Sequence, residues 1–232
     1  YRKEIADDDR DNADSVFNMD RDATEFVTDK LMMRRERAFA ADFFKTAVWQ
    51  TDKVGTTDFT KWDDYAGSAP LVDISVYRDV VEGDIAVEPN IFIIGKQVWL
   101  QLKWHPDLVD TIKYTQVGMV SVDLFATLAE FQKVLVGRSI VTTTKEGVAE
   151  ASVTYTRIWG KNGLMLYVPE RPSLLTPAAM YCFVWERVAS ALQYIKRMRD
   201  EEREVDIFES NSYFDQKQTG KRGGLFLSNA VA

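Results

Sequence analysis

From Asn18 to about Trp49 no glycine or proline breaks the chain, and neither appears before Gly55. Ala23, Val27 and Leu31 recur four apart, while Phe26, Met33, Ala40, Phe44 and Ala47 mark an adjoining stripe. Asp22 and Glu25 together resemble a capping box, so the stretch reads as one helix covering most of Arg21–Trp49. At ~1.5 Å per residue such a helix is longer than a small domain is wide. It must either cross the whole molecule or leave part of its apolar stripe for a neighbour. A helix carrying "LMMRRERAFAADFF" is a mechanical element, and it constrains everything built around it.

The rest of the chain can bury a core to match. With 232 residues, 46% of them hydrophobic, one or two domains are expected. A formal charge of −7, from 29 basic and 36 acidic residues, argues against a protein that grips nucleic acid by neutralising phosphates. The single cysteine, Cys182, excludes an intramolecular disulfide and a multi-cysteine metal site. Neither a signal-peptide pattern nor an apolar run of membrane-spanning length is present. The chain opens at Tyr1 without a methionine, from which a missing upstream segment is expected.

Along the chain, "DDDRDNAD" (Asp7 to Asp14) fails the calcium-loop pattern: Ala13 stands where an oxygen ligand belongs, and no glycine supplies the turn. It reads as part of a solvated acidic linker. Gly55, Gly67 and Pro70 mark a domain transition. Helices are expected at Asp73–Val81, Lys96–Trp104 and Ser121–Phe131. Strands are expected at Asn90–Ile94, Lys133–Gly137, Ser139–Thr144 and Ser152–Thr156. In "RIWGKNGLMLYV", Asn162-Gly163 between apolar runs predicts a hairpin turn. Pro169, Pro172 and Pro177 suggest a crossover, and Tyr181, Phe183 and Trp185 share one strand face. Ala191–Ser210 is ambiguous, helix-favouring in composition among strand-like neighbours.

Motifs for chemistry fail one by one. "NIFIIGKQVW" looks like strand, glycine-lysine, helix. A Walker loop, however, needs glycine at Asn90 and serine or threonine at Gln97. No two of the 12 glycines stand in a G-x-G relation, and "GKRGG" (Gly220–Gly224) reads as a flexible turn with solvated charges. His105 is the only histidine. Asp107 lies near it, but no G-x-S-x-G elbow accompanies the pair, and His105 reads as a turn residue beside Pro106. Removing it should then cost little beyond local turn stability. Cys182 is expected to be a small buried hydrophobe. The pairs Asp63-Asp64 and Glu201-Glu202 read as solvated, and the spacing around Trp99, Trp104 and Trp185 favours core positions. Neither a cofactor nor catalysis is expected.

Several stretches together carry a resemblance. "RDNAD…MDRDATEFVTDKLMMRRERAFA", "PNIFIIGKQVWLQLKWHPDLVDTIKY", "LAEFQKVLVGRSIVTTT", "IWGKNGLMLYV" and the closing "GLFLSNAV" are similar, in order and spacing, to the C-terminal two-thirds of tailed-phage major capsid proteins of the Hong Kong 97-like fold. The resemblance implies an α+β fold with a long spine helix, a peripheral β-sheet and a mixed α/β axial domain. Residues 1–67 would hold the end of the extended-loop region and the spine helix, 68–176 the axial domain, and 177–232 the returning strands of the peripheral domain. Ala191–Ser210 would be mostly strand. The family's N-terminal arm and extended loop are not in this chain, so the chain alone is expected to fold but not to close stable shells.

Also implied are self-association in pentameric and hexameric rings, and scaffold, maturation protease, portal and cement proteins as further partners. Packaged DNA would be touched only weakly, and no membrane is involved. The shell would assemble in the host bacterial cytoplasm and end in the virion. The turn from Lys145 to Glu150 would lie at a ring axis, with Lys145, Glu146 and Glu150 facing neighbours. The rival readings are an encapsulin-type nanocompartment shell of the same fold and a small α/β enzyme or ligand-binding domain.

Overall fold

The computed structural model describes residues 1–14, 16–113, 120–145, 147–173, 175–185 and 193–232. The chain begins with β1 (Arg2–Ala6), α1 (Asp7–Asp11), α2 (Met19–Phe43), β2 (Thr51–Val54) and α3 (Pro70–Ile85). There follow β3 (Ile91–Gly95), α4 (Lys96–Leu102), α5 (Pro106–Ile112), α6 (Val122–Leu128) and β4 (Lys133–Gly137). Next come β5 (Ile140–Thr142), β6 (Tyr155–Arg157), β7 (Gly163–Leu166) and β8 (Met180–Val184). The chain closes with β9 (Tyr194–Asp200), β10 (Val205–Asn211), β11 (Phe214–Gln218) and β12 (Gly224–Ser228). It divides into two compact units, Tyr1–Phe39 with Cys182–Lys217 and Ala40–Tyr181 with Gln218–Ala232. The expected transition near Gly67 falls inside the second unit, because β2 is already a strand of that unit's sheet.

The expected long helix is α2, 25 residues without a break. Asn18, not Asp22, caps it: its Oδ1 accepts the Arg21 amide proton at 3.1 Å. Glu25 instead pairs along the helix surface with Arg21. The helix stops short of Trp49 because the buried Trp49 indole folds back and donates to the Phe43 carbonyl at 2.8 Å, satisfying one end-of-helix acceptor. Ala23, Val27 and Leu31 are buried as spaced, whereas Phe26, Met32 and Met33 stay exposed on the same helix.

In the first unit, β1, β10 and β9 form an antiparallel three-stranded sheet in that order, and β8 pairs with β11. Residues 1–11 are therefore strand and helix, not linker. A strand partner 200 residues away leaves no local trace, and Ile5 is the one buried apolar residue among the first twelve. The described part of Ala191–Ser210 is mostly strand, β9 and β10 joined by a turn at residues 201–204. Cys182 and Trp185 are exposed, contrary to expectation, since β8 belongs to a two-stranded pair with little to cover it.

The second unit is built on a five-stranded mixed sheet, ordered β2-β12-β7-β3-β4. Pairing is parallel at β2–β12 and β3–β4 and antiparallel elsewhere. Its central strands are covered on both faces, which is why "GLML" and "GLFLS" are continuous apolar runs and not alternating ones. Leu225 and Leu227 join Phe92, Ile94, Val98, Trp99, Leu102 and Phe125 in one core; Phe226 meets Phe44 edge-on at 5.3 Å. Trp99 is core, as expected, and Trp62 is fully buried as well, but Trp104 is 58% exposed. Gly223 and Gly224 of "GKRGG", the second of which opens β12, are buried, so that segment is packed structure and not a flexible turn.

The hairpin expected at Asn162-Gly163 is absent. β6 pairs with β5, while β7 pairs with β3 and β12. The turn lies at Gly160, whose φ is +53°. Asn162 serves as a bracket: its carbonyl accepts the Gly95 N–H at 3.0 Å and its side-chain oxygen accepts the Asn229 N–H at 3.0 Å. Gly95 is glycine for the same reason, because a Cβ there would sit 2.1 Å from the Gly160 carbonyl oxygen. The strand–glycine–helix unit β3–Gly95–α4 is thus a close-packed joint with no room for a phosphate.

Candidate functional site

The chemistry nearest to a catalytic constellation surrounds the only histidine. Pro106 holds His105 in extended backbone, ending one short helix and starting α5. The imidazole, 1% exposed, turns back to cap α5, its Nδ1 accepting the Asp107 N–H at 3.1 Å. A ring nitrogen that accepts an amide proton carries none, so the neutral ring keeps its proton on Nε2. Nε2 lies 2.9 Å from Ser68 Oγ and donates to it, and Ser68 in turn donates to the Asp64 carbonyl at 2.6 Å.

The Asp107 carboxylate is engaged elsewhere, accepting the Leu71 N–H at 3.1 Å. Serine, histidine and aspartate are therefore close together, but the protons run from histidine to serine to backbone. A general base needs the reverse order. His105 is a helix cap and a buried joint, a larger structural role than a turn residue.

That burial has a pH consequence. Desolvation pushes the His105 imidazole below its usual range, with the Asp107 charge opposing it more weakly. The unfolded chain binds a proton more readily, so this contribution is present above about pH 6.5 and is lost as pH falls through the lowered folded value. His105→Asn keeps a capping acceptor without a group that titrates near neutrality. Its thermal midpoint should fall less than that of the parent between about pH 7 and pH 5. Equal falls would place the acid sensitivity elsewhere. His105→Ala should cost about 1 kcal/mol for the cap, with a further loss for the cavity.

Of the two carboxylate pairs expected to be solvated, Asp63-Asp64 is structural and Glu201-Glu202 is solvated. Asp63 Oδ1 accepts the Ala232 N–H at 2.9 Å, and Asp64 Oδ1 accepts the Ala66 and Gly67 N–H groups at 3.3 and 3.2 Å. Glu201 and Glu202 are exposed. Among the described residues, no group of three or more His, Cys, Asp or Glu is placed to hold a metal ion. Nor is any helix long and apolar enough to cross a membrane. Arg78, 7% exposed on the inner face of α3, belongs to no sequence motif. It pairs with Glu88 and Glu130 at 2.5 Å each and lies 5.4 Å over the Phe131 ring. Its place four residues after Ile74 on the buried face was the available signal.

The turn from Lys145 to Glu150 tops a narrow ribbon. β5 and β6 pair through Ile140–Arg157, Val141–Thr156 and Thr142–Tyr155. Thr144 Oγ1 accepts the Thr154 N–H at 3.1 Å, carrying the closure one step further. The strand expected at Ser152–Thr156 begins only at Tyr155, because Glu150–Ser152 forms a 3-10 turn. Lys145 and Glu150 are exposed, and Glu146 lies outside the described residues. No described residue between Thr143 and Thr154 is buried, and Ile140, Val148 and Tyr155 are 46%, 44% and 68% exposed. An isolated two-stranded ribbon is marginal in water, and its outer edges offer unpaired backbone groups.

No family model matches the sequence. Among curated proteins, the major capsid protein of Burkholderia phage BcepMu is 29% identical over 160 residues, covering 69% of this chain and 50% of that protein. The major capsid protein of Pseudomonas phage JBD67 is 26% identical over 162 residues, covering 68% of this chain and 50% of that protein. The chain thus matches about half the length of these relatives. Among solved structures, a phage-related protein of Bordetella bronchiseptica RB50 superposes with a TM-score of 0.78. That match takes in 99% of this chain and 74% of the other at 18% identity, a likeness of fold.

Proposed function

We propose that this chain, a relative of phage major capsid proteins with the Hong Kong 97-like fold, is part of the wall of an icosahedral phage or prophage head enclosing double-stranded DNA. The observation that carries the reading is the match to a phage major capsid protein over 160 residues. Three physical features support it. A 25-residue helix supplies a stiff beam, with Phe26, Met32 and Met33 left exposed along it. The β5–β6 ribbon offers an uncovered apolar and charged tip. A net charge of −7 lets a wall stand against packed DNA without gripping it.

In this reading the chain works by position and not by catalysis, as His105 serves to cap a helix. Its principal partner is itself, in pentameric and hexameric rings. Scaffold, maturation protease, portal and cement proteins are further partners, and assembly takes place in the host bacterial cytoplasm. Residues 68–176 form the axial part of the subunit and the flanking segments its periphery, with the ribbon tip at the ring axis. The curated relatives favour a phage head over a nanocompartment of the same fold.

Lys145 and Glu150, opposite in charge and both exposed, then meet their counterparts head to tail around a closed ring. Lys145→Glu combined with Glu150→Lys should be under-represented in rings co-assembled with the parent. The bias should be modest, because exposed pairs contribute about 0–1 kcal/mol. Native mass spectrometry of mixed rings reads the ratio. Random incorporation would remove the ribbon tip from the pairing surface.

A further inference from the structure

The first unit is held by charge to an unusual degree, and the charges converge on one carboxylate. Asp206, in β10 and 4% exposed, receives Arg10 of α1 and Arg197 of β9, each at 2.8 Å, with Arg199 of β9 at 3.9 Å. Arg10 also reaches Asp20 of α2 at 2.7 Å and Asp7 at 3.7 Å; Arg197 reaches Asp20 at 3.5 Å. Arg199 grips Asp7 with both terminal nitrogens, at 2.7 and 2.5 Å, and meets Glu201 at 3.7 Å. Arg203 holds Glu4 of β1 at 2.7 and 3.3 Å, and Arg2 closes on the same carboxylate.

Sorted by element, these contacts share a direction. Glu4, Asp7 and Arg10 all belong to residues 2–12, and their partners Arg203, Arg199, Asp206 and Asp20 all belong to β9, β10, the turn between them and α2. Against this, residues 2–12 bury one apolar side chain, Ile5, on a small cluster with Ala23 and Phe208. Backbone attachment is the five-pair ladder of β1 on β10, continued by the Asp7 N–H donated to the Glu204 carbonyl at 3.1 Å.

We propose that residues 2–12 form a detachable strap, fastened to the β9–β10 hairpin by a charge clasp centred on Asp206, and that losing the clasp frees the strap and bares the β10 edge while the β9–β10 hairpin persists. The clasp is acid-sensitive in a defined direction. Arginine hydrogen bonds hold the Asp206, Asp7 and Glu4 carboxyls below their ordinary values. Their contribution is therefore complete above the ordinary carboxylate range and is lost as pH falls below about 4. A freed β10 edge carries unpaired backbone groups that accept another strand, so the clasp decides whether that edge is closed by the chain's own strap. This inference does not depend on what the chain assembles into.

Hydrogen–deuterium exchange on the 232-residue chain at neutral pH tests it. Asp206→Asn and Arg10→Gln should each accelerate exchange of the β1 amides by about tenfold or more, with the β9–β10 ladder and the β3–β7 pairing left near parental rates. High salt should accelerate the same amides in the parent and add little in the variants. Arg10 lies on the strap and is only half-buried, whereas Asp206 is 4% exposed, so its variant remains informative even where Asp206→Asn disturbs the unit. Unchanged β1 exchange in Arg10→Gln, or equal acceleration across β9 and β10, would overturn the strap.

Discussion

Replacing Phe92 by alanine should remove about 3–5 kcal/mol of stability, a large share of what a single domain has to lose. Phe92 is fully buried in β3, the strand between β7 and β4. Its ring stacks on Phe131 at 5.2 Å and lies 6.3 Å from Phe125. The space it leaves cannot close easily. β4 and β7 flank it by backbone pairing, and the Gly163 backbone on β7 lies so near that an added Cβ would be 3.1 Å from the ring. Urea unfolding should show a lower midpoint with little change in slope. Phe92→Leu, which leaves a smaller hole, should lose distinctly less. A loss below about 1 kcal/mol for alanine would mean that the core collapses around the gap.

The second large effect concerns assembly and should leave stability alone. Joining Thr142 to Tyr155 through Asn-Gly, in place of residues 143–154, keeps the paired residues Thr142 and Tyr155 in a two-residue hairpin. No described residue of the excised segment is buried, so the unfolding midpoint should stay close to the parent's. If the ribbon tip is where copies converge, light scattering of the deletion made in the protein expressed from its whole reading frame should show closed particles replaced by single subunits or loose aggregates. Particles in parental yield would leave the tip as an ordinary exposed loop.

The contrast between these two variants parallels what the sequence reveals and what it hides. Ala23, Val27 and Leu31 announce α2 because helical periodicity is local, and "GLFLS" announces a buried strand because both faces must be apolar. β1 was hidden: its partner, β10, lies some 200 residues away, only Ile5 of its side chains is buried, and Glu4 is matched by Arg203 and not by a core. Asn162-Gly163 carried the letters of a hairpin turn, yet β7 finds its partners in β3 and β12, which no two-residue pattern encodes. His105 was legible as a turn beside Pro106. Its burial and its hydrogen bond with Ser68 depend on a segment 37 residues earlier. The aromatic spacing around Trp104 and Trp185 suggested core, but spacing alone does not say which face a neighbouring element covers.

Ala191–Ser210 shows propensity losing to context. Glu, Arg and Lys favour helix there, but Val205, Asp206, Ile207 and Phe208 are consecutively buried in β10, flanked by β9 and β1. The order of segments, more than any one of them, pointed to the capsid fold.

Electron microscopy of the protein expressed from its whole reading frame should show closed particles of uniform size, whose averaged walls carry five- and six-fold rings with the β5–β6 ribbons gathered at the axes. Dispersed single subunits at every concentration and salt tried, or particles whose ring axes are lined by some other part of the chain, would contradict the proposed role in the wall.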